Sequence, residues 1–209
     1  MIFSAIMLSA LTLTACGDEN FGPDPEKDWQ GTTELFQSAE ENAYQTYYKP
    51  ELGTVGDPMP FFDKKAGDFK VMYLQEYPDN LPLRFHPYWA VATPDGASYQ
   101  SLGEWLSIGS FDSQQDAILG TGCCYYNDAD GLYYIYYTGE SGKTVDRQVV
   151  MRATSSDLKT WNRDNSWSLK GKAFGYSGND FRDPQIFMVG SEYHMIVSTQ
   201  PVTGGDPCF

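Results

Sequence analysis

The sequence predicts an all-β chain, a partial β-propeller. Three observations carry this. Strand-like segments recur at a beat of about 60 residues, as from Ala92 to Ala153. An Asp-Pro step stands in equivalent places of two repeats, at Asp57-Pro58 and Asp183-Pro184. Aromatic residues make up 15% of the chain, 15 of them Tyr, and no long helical period appears outside the N-terminal region.

The elements follow in order within each repeat. First strands are predicted at Met59-Pro60-Phe61-Phe62, Gly122-Cys123-Cys124-Tyr125-Tyr126 and Gln185-Ile186-Phe187-Met188. Second strands, aromatic or β-branched, are Phe69-Lys70-Val71-Met72-Tyr73-Leu74-Gln75, Leu132-Tyr133-Tyr134-Ile135-Tyr136-Tyr137-Thr138 and Tyr193-His194-Met195-Ile196-Val197-Ser198-Thr199, each after a turn holding Gly67, Gly131 or Gly190. Third strands run from Tyr88 to Thr93 and from Val149 to Thr154. About four short antiparallel strands in about 60 residues make one blade, whose faces bury one another when stacked radially. A propeller ring closes with about 4 to 8 blades. Residues 51–209 hold about two and a half, so they are expected to be blades 1, 2 and the start of 3 of a longer chain. Open sheet faces should leave such a fragment unstable or aggregation-prone.

Proline cannot donate to a ladder, so each Asp-Pro is expected at the mouth of its strand rather than inside it. Around a common axis, Asp57 and Asp183 then point at one central site. An Asp-Pro alone is an ordinary strand start after a turn. The equivalent placement of two is what makes them candidate site residues.

Charge narrows the partners. Fourteen basic residues against 28 acidic give −14, which argues against nucleic acid or an anionic lipid surface held through a basic face. Metal is not expected: the chain has two His, His86 and His194, and four Cys, of which Cys123 and Cys124 are vicinal within a strand and Cys208 is next to last. No cofactor is implied.

Met1 to Ala15 carries no charged side chain and reads as a signal peptide, too short to span a bilayer as a mature anchor. It ends in Leu13-Thr14-Ala15-Cys16, which resembles a bacterial lipobox; the resemblance implies acylation of Cys16, a lipid anchor as the only membrane contact, and a place on the outer membrane or cell surface. Asp18-Glu19 resembles the export tag of bacterial surface lipoproteins. Residues 16–50 read as a tether, within which Glu34 to Tyr48 suits either a short helix or an edge strand.

From Gly56 to Thr199 the sequence resembles glycoside hydrolase family 32, the levanases, inulinases and invertases, and the resemblance implies a five-bladed ring, which at about 60 residues per blade needs roughly 300 residues. Gly56-Asp57-Pro58 matches the family's first-blade Asn-Asp-Pro with Gly for Asn, and Arg182-Asp183-Pro184 matches its third-blade Arg-Asp-Pro in full. The resemblance implies that Asp57 is the nucleophile and that Asp183, with Arg182, binds sugar hydroxyls and stabilises the transition state. Gln75 resembles the strand-end glutamine of the sugar pocket, and Leu119-Gly120-Thr121-Gly122 stands loosely where a Ser-Gly-Ser turn is usual, which makes Thr121 a substrate-binding candidate. Arg147 to Trp161, containing Ala153-Thr154-Ser155-Ser156-Asp157-Leu158, resembles a segment that recurs across the family's blades and is read as structural. The fourth-blade acid/base Glu is expected beyond Phe209, since Glu76, Glu104, Glu140 and Glu192 match no motif for it.

Those residue types suit the chemistry. Breaking a fructofuranosidic bond with retention needs a carboxylate and a protonated carboxylic acid about 5 Å apart around an oxocarbenium-like centre. Arg182 supplies a stabilising field, and His86, Trp89 and Trp105 are candidate pocket walls, each competing with blade packing. The expected function is a retaining hydrolase of fructans or fructosides (levan, inulin or sucrose type), inactive as this fragment. The alternatives are an arabinanase or xylosidase-like propeller glycosidase, against which the Arg-Asp-Pro triplet argues, and a non-catalytic glycan-binding surface lipoprotein.

Overall fold

Ten strands form three antiparallel sheets in a computed structural model of the chain, which describes residues 48–50, 53–76, 86–94, 98–109 and 114–202. All belong to one compact unit, Tyr44–Phe209. The expected signal peptide, Cys16, residues 16–47 of the tether and Cys208 lie outside the described residues.

Blade I is β1 (Thr54–Asp63), β2 (Asp68–Glu76), β3 (Tyr88–Thr93) and β4 (Gln100–Leu106), paired in that order. Blade II repeats it with β5 (Ile118–Asn127), β6 (Leu132–Glu140), β7 (Gln148–Ser155) and β8 (Asn162–Arg163). A 3-10 turn at Gly171–Phe174 precedes β9 (Tyr176–Val189) and β10 (Glu192–Pro201), which pair as a two-stranded sheet, blade III. The fold is the partial β-propeller that the sequence predicts. Gly67, Gly131 and Gly190 close the three first hairpins at φ 74°, 73° and 61°, a left-handed conformation that costs glycine little.

The core lies between blades I and II. Alternate residues of β1 to β4 (Met59, Phe61, Met72, Leu74, Tyr88, Ala90, Trp105) meet Leu119, Cys124, Ile135, Tyr137, Val149, Met151 and Ala153 from blade II. Strand alternation sends the vicinal cysteines to opposite faces, Cys124 into this core and the Cys123 sulfur to the backbone of Ile186 in blade III. A buried polar joint reinforces the contact: Asp63, 1% exposed, accepts from Lys70 Nζ at 2.8 Å within blade I and from the Tyr133 hydroxyl at 2.9 Å across in blade II. Trp105 packs on Phe61 and on Trp161 at 6.0 and 5.6 Å between ring centres, so it fills the blade interface rather than lining a pocket.

One expectation is corrected. Neither Asp-Pro heads its strand: β1 begins three residues before Asp57 and β9 seven before Asp183. Each step sits inside the strand at a break in register, between Gly56 and Met59 opposite β2 and between Arg182 and Gln185 opposite β10. Such a bulge excuses Pro58 and Pro184 from the ladder, so the strand continues past them.

Candidate active site

The bulges are what aim the acids. Asp57 has φ 29° and Asp183 φ 57°, both in the left-handed region where few residues other than glycine settle. Backbone held this way costs about 1–3 kcal/mol per residue and persists where surrounding structure imposes it. Here it turns each carboxylate out of the pleat. The middle blade carries the same device without an Asp-Pro: β5 breaks register between Gly120 and Gly122, leaving Thr121 as its bulged residue.

Three equivalent interruptions therefore bring forward Asp57, Thr121 and Asp183, one from each blade. The Thr121 hydroxyl donates to Asp57 Oδ2 at 2.6 Å, joining blades I and II. Asp183 joins through its backbone, whose N–H donates to Thr138 Oγ1 at 2.9 Å, while the Thr138 hydroxyl donates to the Thr121 carbonyl at 3.0 Å. Beneath them the Tyr88 hydroxyl donates to the Gly120 carbonyl, and the Gly122 N–H meets the Met59 sulfur at 3.1 Å. Burial drives the Tyr88 phenol well up, with the nearby Tyr137, Cys123, Asp183 and Asp57 adding to the effect, so it stays protonated as a donor.

Asp183 senses the charges around it. Burial raises the Asp183 carboxyl above its ordinary range; Arg182 opposes that, and the charges of Asp57 and Asp180 reinforce it. Arg182 places Nε 3.3 Å from Asp183 Oδ2 and Nη1 2.9 Å from Asp180 Oδ1, tethering the guanidinium beside the acid with half its surface open.

Gln75 is the last residue but one of β2 and stands opposite Val55, two residues along β1 from Asp57. It is buried, with Oε1 accepting from the Tyr73 hydroxyl at 3.3 Å and Nε2 donating to the Glu76 carbonyl at 3.2 Å. His86 reaches the same end of blade I, because the Gln75 N–H donates to the carbonyl of Pro87 at 3.0 Å. Glu76 folds over Gly56: a Cβ there would stand 2.6 Å from Glu76 Oε1, so the glycine that replaces the expected asparagine leaves room for a third carboxylate beside Asp57. Among the described residues no group of three His, Cys, Asp or Glu side chains is gathered as a metal site requires.

Thr138, Tyr88 and Glu76 are the site neighbours that sequence reasoning did not single out. Thr138 and Tyr88 carry only strand propensity as a signal. The Gly in place of Asn at position 56 was the one available pointer to Glu76.

Repeated antiparallel sheets presenting carboxylates from bulges in their first strands make the architecture of the propeller glycosidases. Residues 47–205 match the glycosyl hydrolases family 32 N-terminal domain, and the chain belongs to that family. Its fold is similar to sucrose-6-phosphate hydrolase from Lactobacillus gasseri, with a TM-score of 0.58 and 20% identity over 85% of this chain and 36% of that one. It is similar also to fructan 1-exohydrolase IIa from Cichorium intybus, with a TM-score of 0.59 and 16% identity over 76% of this chain and 31% of that one. Beta-fructofuranosidase from Schwanniomyces occidentalis gives a TM-score of 0.56 and 17% identity over 73% and 31%. The chain thus spans about a third of the length of these solved structures, at 36%, 31% and 31%. No curated protein matches it in sequence.

Proposed function

We propose that this chain supplies the nucleophile side of a retaining glycoside hydrolase acting on fructosides, of levan, inulin or sucrose type. Asp57 attacks the anomeric carbon, opening on the pocket from its bulge with the Thr121 hydroxyl fixing one oxygen. Asp183 grips ring hydroxyls of the furanose and holds them more tightly as the ring flattens, with Arg182 balancing its charge. Gln75 and His86 line the same end of blade I and contact the sugar. The observation that carries this reading is the convergence of three strand bulges, two bearing carboxylates whose charges interact.

The general acid comes from outside this constellation, on a further sheet packed against the outer face of blade III. What supports that placement is the exposed apolar row Phe187, Val189 and Ile196, at 39%, 56% and 43%, on the side of β9 and β10 turned away from blade II. In this reading residues 51–209 alone bind sugar without turning it over. The run ending in Leu13-Thr14-Ala15-Cys16 supports export and anchoring at the bacterial surface through an acylated Cys16, tested by radiolabelled palmitate incorporation and its loss in Cys16→Ser.

The test of the mechanism is Asp57→Asn in the enzyme with its ring complete. Turnover of sucrose or levan should disappear while calorimetry still records fructose binding. Unchanged turnover would remove Asp57 from the chemistry.

A further inference from the structure

We propose that Thr138, which belongs to none of the predicted pocket motifs, is the positioning residue that sets the spacing of the two candidate acids. It stands on β6, 1% exposed, and its single hydroxyl is fully used. Asp183 N–H donates into the oxygen at 2.9 Å, so the hydroxyl proton is free to go to the Thr121 carbonyl at 3.0 Å. One side chain thereby ties the bulge of blade II to the bulge of blade III. With Thr121 Oγ1 on Asp57 Oδ2 at 2.6 Å, a continuous hydrogen-bonded path runs from Asp57 through Thr121 and Thr138 to the backbone of Asp183.

Two features show that the path is built rather than incidental. The N–H of Asp183 belongs to a residue whose bulge has taken it out of the β9–β10 ladder, and a part-buried backbone donor left without its ladder partner takes another. Thr138 is that partner. Its rotamer is fixed from the other side: a β-branched side chain has few χ1 states, and a Cβ on Gly120, its cross-strand neighbour, would sit 3.1 Å from Thr138 Cβ and 3.3 Å from Cγ2. Glycine at 120 therefore lets the methyl lie flat on the strand with the hydroxyl pointing at both bulges.

The role of Thr138 in sugar binding rests on the fructoside reading above; its role in holding Asp183 does not. The experiment separates them. In the full chain, or a longer one containing it, hydrogen exchange at the Asp183 amide and carbon-13 titration of its carboxyl are measured alongside calorimetric binding of fructose. Thr138→Val keeps the shape and removes the hydroxyl; Thr138→Ser keeps the hydroxyl. The valine variant should exchange the Asp183 amide at least about tenfold faster, shift the Asp183 titration and weaken fructose binding about tenfold, and serine should restore all three to within about threefold. The proposal is overturned if valine leaves the amide protection and titration of Asp183 unchanged, or if serine does not rescue them. It is overturned equally, without any variant, if the Asp183 amide of the unmodified protein exchanges as an open loop does. An unmodified protein that protects this amide yet takes up no fructose upholds Thr138 and sinks the fructoside reading.

Discussion

The Thr121 hydroxyl donates to Asp57 Oδ2 at 2.6 Å across the joint between blades I and II. A hydrogen bond to a charged group is worth about 1.5–3 kcal/mol, and each 1.36 kcal/mol of barrier is tenfold in rate. In the enzyme with its ring complete, Thr121→Val should therefore lower kcat/KM for sucrose about 10- to 100-fold, and Thr121→Ser should keep most of the activity. Steady-state kinetics of the three proteins decides it; equal activity in the valine variant would leave Thr121 a packing residue.

Asp183 is predicted to weaken the fold when it ionises. Its carboxyl titrates above its ordinary 3.8, chiefly through burial, opposed by Arg182 and assisted by Asp57 and Asp180. A carboxyl raised in the folded state gives its full stabilisation below the unfolded value and loses it as pH climbs through the folded one. Asp183→Asn should thus raise the thermal midpoint at pH 7 by a few degrees, a gain that vanishes below about pH 3.8. Arg182→Leu should push the Asp183 titration further up in a carbon-13 NMR experiment. A lower midpoint for Asp183→Asn at pH 7 would mean that its pairing outweighs burial and repulsion.

The fold was legible because its periodicity is written in residue types. Aromatic and β-branched runs after Gly67, Gly131 and Gly190 specify hairpins, and their equal spacing specifies blades. The two acids were visible because proline marks a place where a ladder must be interrupted. The same logic hid the third bulge: Gly120-Thr121-Gly122 breaks register without proline, relying on glycines that the neighbouring strand demands, and no local rule distinguishes that from an ordinary turn. Proline also misled on position, since a residue that cannot pair reads as a strand boundary until a bulge is seen to absorb it. Thr138 was illegible because its function is relational, made by a partner 45 residues away.

Asp63 should behave oppositely to Asp183. Burial pushes its carboxyl up, but bonds from Lys70, Tyr133 and the Ala66 N–H outweigh that and hold it below 3.8. A carboxyl lowered by folding stabilises above its unfolded value, and that contribution drains away as pH falls through the folded one. Asp63→Ala strands the buried Lys70 ammonium with Asp68 alone and takes the blade II partner from Tyr133, which should cost about 3–5 kcal/mol at pH 7. Urea unfolding should show the gap between variant and parent narrowing below about pH 4. A gap that does not change with pH would assign the loss to packing instead.

Two glycines beside the acids should respond oppositely to a side chain, because what each would meet differs in freedom to move. At Gly122 a Cβ would lie 2.3 Å from the Tyr136 carbonyl oxygen and 2.9 Å from Tyr137 Cα, both backbone of the paired strand β6. That strand also carries Thr138, so Gly122→Ala must spread β5 from β6 and should cost about 1–3 kcal/mol and most sugar binding. At Gly56 the obstacle is the end of the Glu76 side chain, with Oε1 at 2.6 Å and Cδ at 3.1 Å, on an exposed and flexible residue. Gly56→Asn, which installs the residue that the Asn-Asp-Pro motif carries, should displace Glu76 and change stability by no more than about 0.5 kcal/mol. Because the displaced carboxylate lies beside Asp57, that variant should alter fructose affinity rather than the fold. Chemical denaturation paired with calorimetry separates the two glycines; a Gly56→Asn protein that unfolds as readily as Gly122→Ala would show that the Thr54 hydroxyl, which donates to Glu76 Oε2 at 3.2 Å, holds that side chain firmly in place.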